Sequence, residues 1–164
     1  MTAYLNFSKI SAIACFIACI GDFLVTIVLG CFYPRYNHLK FTMSELATVK
    51  SPVAIWISTW WIIYGILIII FGIGFGKALN LKNTLTKVST ALIILFGIGA
   101  GIGAGIFSYS PITQETTISG NIHDISAGVG FIAILFLPII SFKLFSDKKI
   151  QSVSVLSVIT QITG

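Results

Sequence analysis

Four long apolar runs, separated by short polar segments, dominate the sequence. They lie at about residues 10–32, 53–75, 88–107 and 122–145. Each run has roughly the 20 residues that a helix needs to cross a hydrocarbon core about 30 Å thick. The pattern therefore predicts an all-α, polytopic integral membrane bundle, with four transmembrane helices in a single membrane domain. Residues 150–164 are shorter and more polar, and we expect them to form a partial or interfacial fifth helix.

Composition and charge agree with a membrane protein. Hydrophobic residues make up 56% of the chain and charged residues only 9%, against roughly 25% charged in soluble domains. The ten Lys and Arg are scattered among short segments, which argues against a nucleic-acid-binding surface. Cys15, Cys19 and Cys31 match neither a zinc spacing nor a secreted disulfide framework.

The distribution of basic residues predicts the orientation. One side would carry Lys9, Lys77, Lys82, Lys87, Lys143, Lys148 and Lys149, and the other Arg35, Lys40 and Lys50. Cytoplasmic loops are the ones enriched in Lys and Arg. We therefore expect a cytoplasmic N-terminus in an inner or plasma membrane, with the segments 33–52 and 108–121 facing outward.

The third run contains alternate glycines, at positions 97, 99, 101, 103 and 105. Gly97, Gly101 and Gly105 have the GxxxG spacing that lets two helix backbones approach closely. This spacing permits association within one chain or between chains. It is not a dinucleotide-binding fingerprint, because that motif requires a preceding strand in a βαβ unit.

Two polar patches and one buried acid are the candidates for chemistry. Asp22 lies in the middle of the first run, where a carboxylate costs about 2.5 to 3.5 kcal/mol, so it should face other helices or a wet cavity. The other candidates lie in segment 33–52 and at the start of the fourth run. Packing of four helices predicts an outer-leaflet polar pocket formed by Asp22, His38, Ser44, Glu45, His123, Asp124 and Ser126.

The polar segments also carry a recognisable set of motifs. They are Tyr36, His38-Leu39, Ser44-Glu45-Leu46 and Pro52 in the first segment, then Phe107, Pro111 and His123 after the glycines. With this set, the chain over about residues 10–145 resembles a bacterial and archaeal multi-pass membrane family known as domain of unknown function 998. Members of that family usually have six helices, whereas the pattern here predicts four and a short segment. The resemblance implies a helical membrane fold and no particular activity.

The function stays open between three hypotheses. The favoured one is a scaffold that binds a membrane lipid or small amphiphile at the polar pocket, with the polar groups otherwise serving as structural partners. The second is a membrane-embedded hydrolase of lipid or lipid-linked substrates. No cofactor is evident, but His38, Glu45 and His123 could hold a transition metal such as zinc, which would activate a water. The third is a small transporter-like protein or accessory subunit, with Asp22 as a protonatable group.

Overall fold

The described part of the chain forms four long helices. The computed structural model describes residues 2–34, 36–79, 81–111 and 117–147. The helices are α1 (Thr2–Cys31), α2 (Ala54–Leu79), α3 (Thr84–Ile106) and α4 (Ile118–Asp147), and no strand lies within the described residues. Each helix is long and apolar enough to cross a membrane. The predicted all-α membrane fold is therefore confirmed, while the predicted helix at 150–164 lies outside the described residues.

The helices extend further than the apolar runs. α2 ends at Leu79 and α3 begins at Thr84, so Lys77 and Lys87, which lie outside the apolar runs, both belong to helices. The Lys77 ammonium lies 4.5 Å from the centroid of the Phe7 ring, a cation–π contact that joins α2 to α1. α4 begins at Ile118, so Asp124 is not in its first turn.

α2 and α3 lie in the middle of the bundle, with α1 packed against α2 and α4 packed against α3. The alternate glycines of α3 explain this arrangement. Gly101 meets the backbone of Gly65 in α2, whereas Gly99 meets the backbone of Ser126 and Gly130 in α4. Residues four apart share one helix face, and a residue two positions on lies nearly opposite. One helix therefore presents a glycine stripe to each neighbour, and the GxxxG stripe predicted from the sequence is used within the chain.

The glycine segment of α3 also departs from α geometry. Residues Gly97–Gly103 form a π-helical segment within the helix. Such segments are uncommon and occur mostly inside α-helices, often at functional sites. Glycine has no side chain to hold the backbone in one helical form, and here the backbone follows the close contacts with α2 and α4. The sequence pattern alone predicts only a continuous α-helix.

The first polar segment folds back into one end of the bundle. Residues Met43–Ala47 form a 3₁₀ helix, in which Leu46 and Ala47 are buried and pack with Val53, Ile57 and Trp61. The second polar segment meets it there, because the Tyr109 N–H donates to the Ala47 carbonyl over 3.2 Å. We call this the loop end of the bundle. It brings together segments that are far apart in the sequence.

Candidate functional site

A cavity lies among the four helices, beneath the 3₁₀ helix of the loop end. Its volume is about 180 Å³. The walls are mostly aromatic rings and alanines, and the polar lining residues are Asp22, Ser44, Tyr64 and His123. The full lining is Asp22, Met43, Ser44, Trp61, Tyr64, Phe96, Ala100, Ala104, His123, Ala127 and Phe131. The cavity is thus mostly apolar, with a few polar groups in its wall.

His123 is held from both sides by the loop end. Its side chain is only 1% exposed, and its Nδ1 lies 2.8 Å from the Phe107 carbonyl oxygen. A carbonyl can only accept, so Nδ1 carries the proton and donates it. In the neutral ring, Nε2 is then the acceptor, and it lies 3.4 Å from the Ser44 hydroxyl. The hydrogen-bond network therefore presents a basic nitrogen to Ser44 at the cavity.

Asp22 has a partner inside the bundle. Its Oδ1 accepts a hydrogen bond from the Trp60 indole N–H over 3.1 Å. Asp22 lies nine residues before Cys31, the end of α1, which places it roughly 14 Å from the loop end at 1.5 Å per residue. Trp61 also faces inward, and only Trp56, 67% exposed, has the exposure of an interfacial anchor. Trp60 and Trp61 therefore contribute mainly to the interior of the bundle.

The other predicted site residues lie elsewhere. His38 is exposed, with its ring edge-on to Tyr36 at 4.8 Å between centroids and packed over Gly30. Asp124 is exposed, and Ser126 packs against Gly103 of α3. Of the seven residues expected to share one pocket, only Asp22, Ser44 and His123 line the cavity.

The predicted zinc ligands are not brought together. In the described ranges, no three His, Cys, Asp or Glu side chains lie close enough to hold a metal ion. His38 packs at the end of α1, Glu45 lines a different hollow, and both ring nitrogens of His123 already have partners. The separation follows from the 3₁₀ helix, which directs Ser44 and Glu45 into different pockets.

That second hollow lies at the surface of the loop end. It has a volume of about 260 Å³ and is lined by Tyr33, Pro34, Tyr36, Phe41 and Glu45. The Tyr36 hydroxyl donates to the Thr42 carbonyl over 3.2 Å. Burial raises the pKa of the Tyr36 phenol, and the nearby Glu45 carboxylate raises it further. This aromatic hollow therefore has a negative charge within it.

Comparison with known proteins assigns the chain to a protein family. The family model described as Protein of unknown function (DUF998) matches residues 16–161. The chain belongs to this family. The match confirms the resemblance seen in the sequence motifs, and it spans every residue that lines the cavity. No curated protein and no solved structure matches the chain.

Several cavity residues of this DUF998 protein were not among the candidates from the sequence. They are Tyr64, Phe96 and Phe131, together with the Phe107 carbonyl that orients His123. One signal was available, because Trp61 and Tyr64 are three residues apart on one face of α2, and a phenol hydroxyl inside an aliphatic run needs a partner or a cavity. The Phe107 carbonyl left no signal, since a backbone contact depends on the fold alone.

Proposed function

We propose that this DUF998 protein binds a membrane lipid or another small amphiphile in the cavity among α1–α4. The observation that carries the proposal is a mostly apolar cavity whose lining includes the polar residues Asp22, Ser44, Tyr64 and His123. Ligand sites commonly combine mostly apolar walls with a few placed polar groups. Such a site suits a molecule with a polar head on a hydrocarbon tail.

The size of the cavity limits what enters it. Its volume of about 180 Å³ is below the roughly 300 to 1,000 Å³ of pockets that enclose a drug-sized ligand, and near the roughly 150 Å³ of an apolar cavity that accepts benzene. It therefore suits the polar head and first carbons of an amphiphile. The tail would have to leave the cavity.

We place that exit between α1 and α4. In the described residues, α1 packs mainly against α2, and α4 packs mainly against α3. Phe131 lines the cavity and is also 57% exposed on the outer surface of α4. A tail that passes between α1 and α4 would lie in the hydrocarbon of the bilayer, where it stays away from water. With both loops outside, as the basic residues predict, the ligand would come from the outer leaflet.

Filling the cavity tests this proposal. Ala127→Leu adds an apolar group to the lining, whereas the matched Ala91→Leu adds the same group at an exposed position of α3. We expect Ala127→Leu to lower the amount of co-purified amphiphile per mole of protein about tenfold, the equivalent of about 1.4 kcal/mol. Ala91→Leu should leave it unchanged. The measurement is lipid mass spectrometry of each protein, purified in the same mild detergent after circular dichroism has shown equal helicity.

Equal retention in Ala127→Leu and the natural chain would contradict binding in this cavity. So would an equal loss in both variants, because the exposed position does not reach the cavity.

A second candidate function is hydrolysis of a lipid ester, and one geometric observation favours it. The Ser44 hydroxyl faces Nε2 of His123, whose Nδ1–H is oriented by the Phe107 carbonyl. A nucleophile, a base and a group that orients the base are the parts of an activated serine. The 3.4 Å separation is longer than a working hydrogen bond, as is common in a site without substrate.

In that reaction, Ser44 Oγ would attack the ester carbonyl while its proton passes to Nε2. The proton would then pass to the departing alcohol, and water would release the acid from the serine with His123 as base.

A fluorophosphonate probe tests this second candidate. An activated serine is phosphonylated, so we expect label on the natural chain and at least tenfold less on Ser44→Ala. Ser126→Ala is the control, because Ser126 lies three residues from His123 on α4 but packs against α3. The readout is labelled protein by mass spectrometry. An unlabelled natural chain, or a label that persists in Ser44→Ala, would exclude Ser44 as the nucleophile.

A further inference from the structure

The aromatic hollow at the loop end has no role in the function proposed above. We propose that this hollow, formed by Tyr33, Pro34, Tyr36, Phe41 and Glu45, binds the alkylammonium group of an organic cation. It is separate from the interhelical cavity, and the two pockets have no lining residue in common.

The walls of the hollow suit a positive charge that carries carbon groups. The rings of Tyr33 and Tyr36 are nearly parallel, and their centroids lie 6.0 Å apart. The centroid of the Phe41 ring lies 6.1 Å from that of Tyr36. The face of an aromatic ring is electron-rich and attracts a cation within about 6 Å of its centroid. The hollow has a volume of about 260 Å³ and is lined by these three aromatic residues, so it has room for a small ammonium group beside aromatic rings.

Glu45 supplies the matching negative charge. It is the one charged residue among the described lining residues, and it is half-buried. Its carboxylate adds to the rise in the pKa of Tyr109 that burial causes, as it does for Tyr36. The charge of Glu45 is therefore felt by two tyrosine phenols.

Hydrogen bonds hold the backbone that carries Glu45 and the ring of Tyr36 in place before a ligand binds. The Glu45 N–H donates to the Thr42 carbonyl over 3.1 Å, and the Thr48 hydroxyl donates to the Glu45 carbonyl over 3.1 Å. The Tyr36 hydroxyl donates to the same Thr42 carbonyl. The Tyr36 hydroxyl and the backbone of Glu45 are thus tied to one carbonyl group, which lowers the entropy lost on binding.

An organic cation fits this chemistry better than a metal ion. Calcium takes six to eight oxygen ligands, and Glu45 is the only carboxylate in the described lining. An alkylammonium group needs one negative partner and apolar contacts. Its source is a free solute or a lipid headgroup, since Tyr33 lies two residues after the end of α1, at the loop end.

Choline and 3,3-dimethylbutan-1-ol make a decisive pair of probes, because they have the same shape and differ in charge. We expect calorimetric titration of the full chain, in a detergent without ammonium groups, to show choline binding at least tenfold tighter than the alcohol. Glu45→Gln should weaken choline binding about tenfold, and Phe41→Leu several-fold. Asp124→Asn, which removes an exposed carboxylate on α4 outside the hollow, should leave it unchanged.

Four results would overturn the proposal. They are no choline binding by the natural chain, equal binding of the neutral alcohol, no effect of Glu45→Gln, and equal losses in Glu45→Gln and Asp124→Asn. Arg35 lies outside the described residues and follows Pro34 in the sequence. Binding by Arg35→Gln but not by the natural chain would show that the chain's own guanidinium fills the hollow, which also overturns an external ligand.

Two further experiments complete the test. The first identifies the source of the ligand, and the second shows that this proposal does not depend on the function proposed above. In nanodiscs of phosphatidylcholine, a choline affinity lower than in nanodiscs of an uncharged galactolipid would identify the lipid headgroup as the competing ligand. Equal affinity would identify a free solute. Ala127→Leu should not alter choline binding, so a failure of the cavity proposal leaves this one intact.

Discussion

Gly101→Ala is expected to destabilise the bundle by about 2 kcal/mol, whereas Gly128→Ala is expected to leave its stability unchanged or raise it. A Cβ at Gly101 would meet the Cα and N of Gly65 in α2. The obstructing atoms are backbone, so no side-chain rotation can relieve the contact and the two helices must separate. Overpacking of this kind costs typically about 1 to 3 kcal/mol.

Gly128 provides the matched control for that substitution. It lies in α4, and a Cβ at this position would meet nothing within 4 Å. The change from Gly to Ala then acts only on helix propensity, which favours Ala by about 1 kcal/mol. The same chemical change should thus have opposite effects at two glycines of the bundle.

Reversible unfolding of both variants in mixed detergent micelles, followed by circular dichroism, measures the difference. We expect the two free energies of unfolding to differ by about 3 kcal/mol. Similar values for Gly101→Ala and Gly128→Ala would mean that the backbone contact between α2 and α3 is absent in the membrane protein.

His123→Ala should have an effect of similar size, with a different cause. The imidazole is nearly fully buried and bonds both the Phe107 carbonyl and the Ser44 hydroxyl. Removing it leaves a space in the packing, which costs about 2 to 5 kcal/mol for large side chains, and an unpaired buried carbonyl, which costs about 1 to 3 kcal/mol. Because water can enter the adjoining cavity, we expect a net loss of about 3 kcal/mol.

The loss should be concentrated at the loop end. Tyr109 lies two residues after Phe107, whose carbonyl accepts the hydrogen bond of His123, and its own N–H donates to the Ala47 carbonyl. We therefore expect the Tyr109 amide to exchange with deuterium at least tenfold faster in His123→Ala. Amide exchange by mass spectrometry and thermal unfolding are the measurements. His38→Ala is the control, and as an exposed side chain it should change stability by no more than about 0.5 kcal/mol. Equal destabilisation by both substitutions would show that the hydrogen bonds of His123 do not stabilise the loop end more than an exposed histidine does.

The four helices follow from the sequence through one simple physical property. A run of about 20 apolar residues has few ways to satisfy its backbone in lipid other than a helix, so length and hydropathy suffice. The inward position of Asp22 follows in the same way, because an acid that faces lipid is costly. The motifs around Ser44 and His123 were sufficient to indicate the family, which the match over residues 16–161 confirms.

Which polar groups meet was decided by the tertiary structure. Ser44 and His123 are 79 residues apart and become neighbours because the 3₁₀ helix is buried in the loop end. Ser44 and Glu45 are adjacent in the sequence, yet the same helix places them in different pockets. The hydropathy of a segment records whether it prefers lipid or water. It does not record where a polar loop will turn, because that depends on contacts such as the hydrogen bond from His123 to the Phe107 carbonyl. A backbone carbonyl is present in every residue type, so the sequence does not show which one will accept this bond.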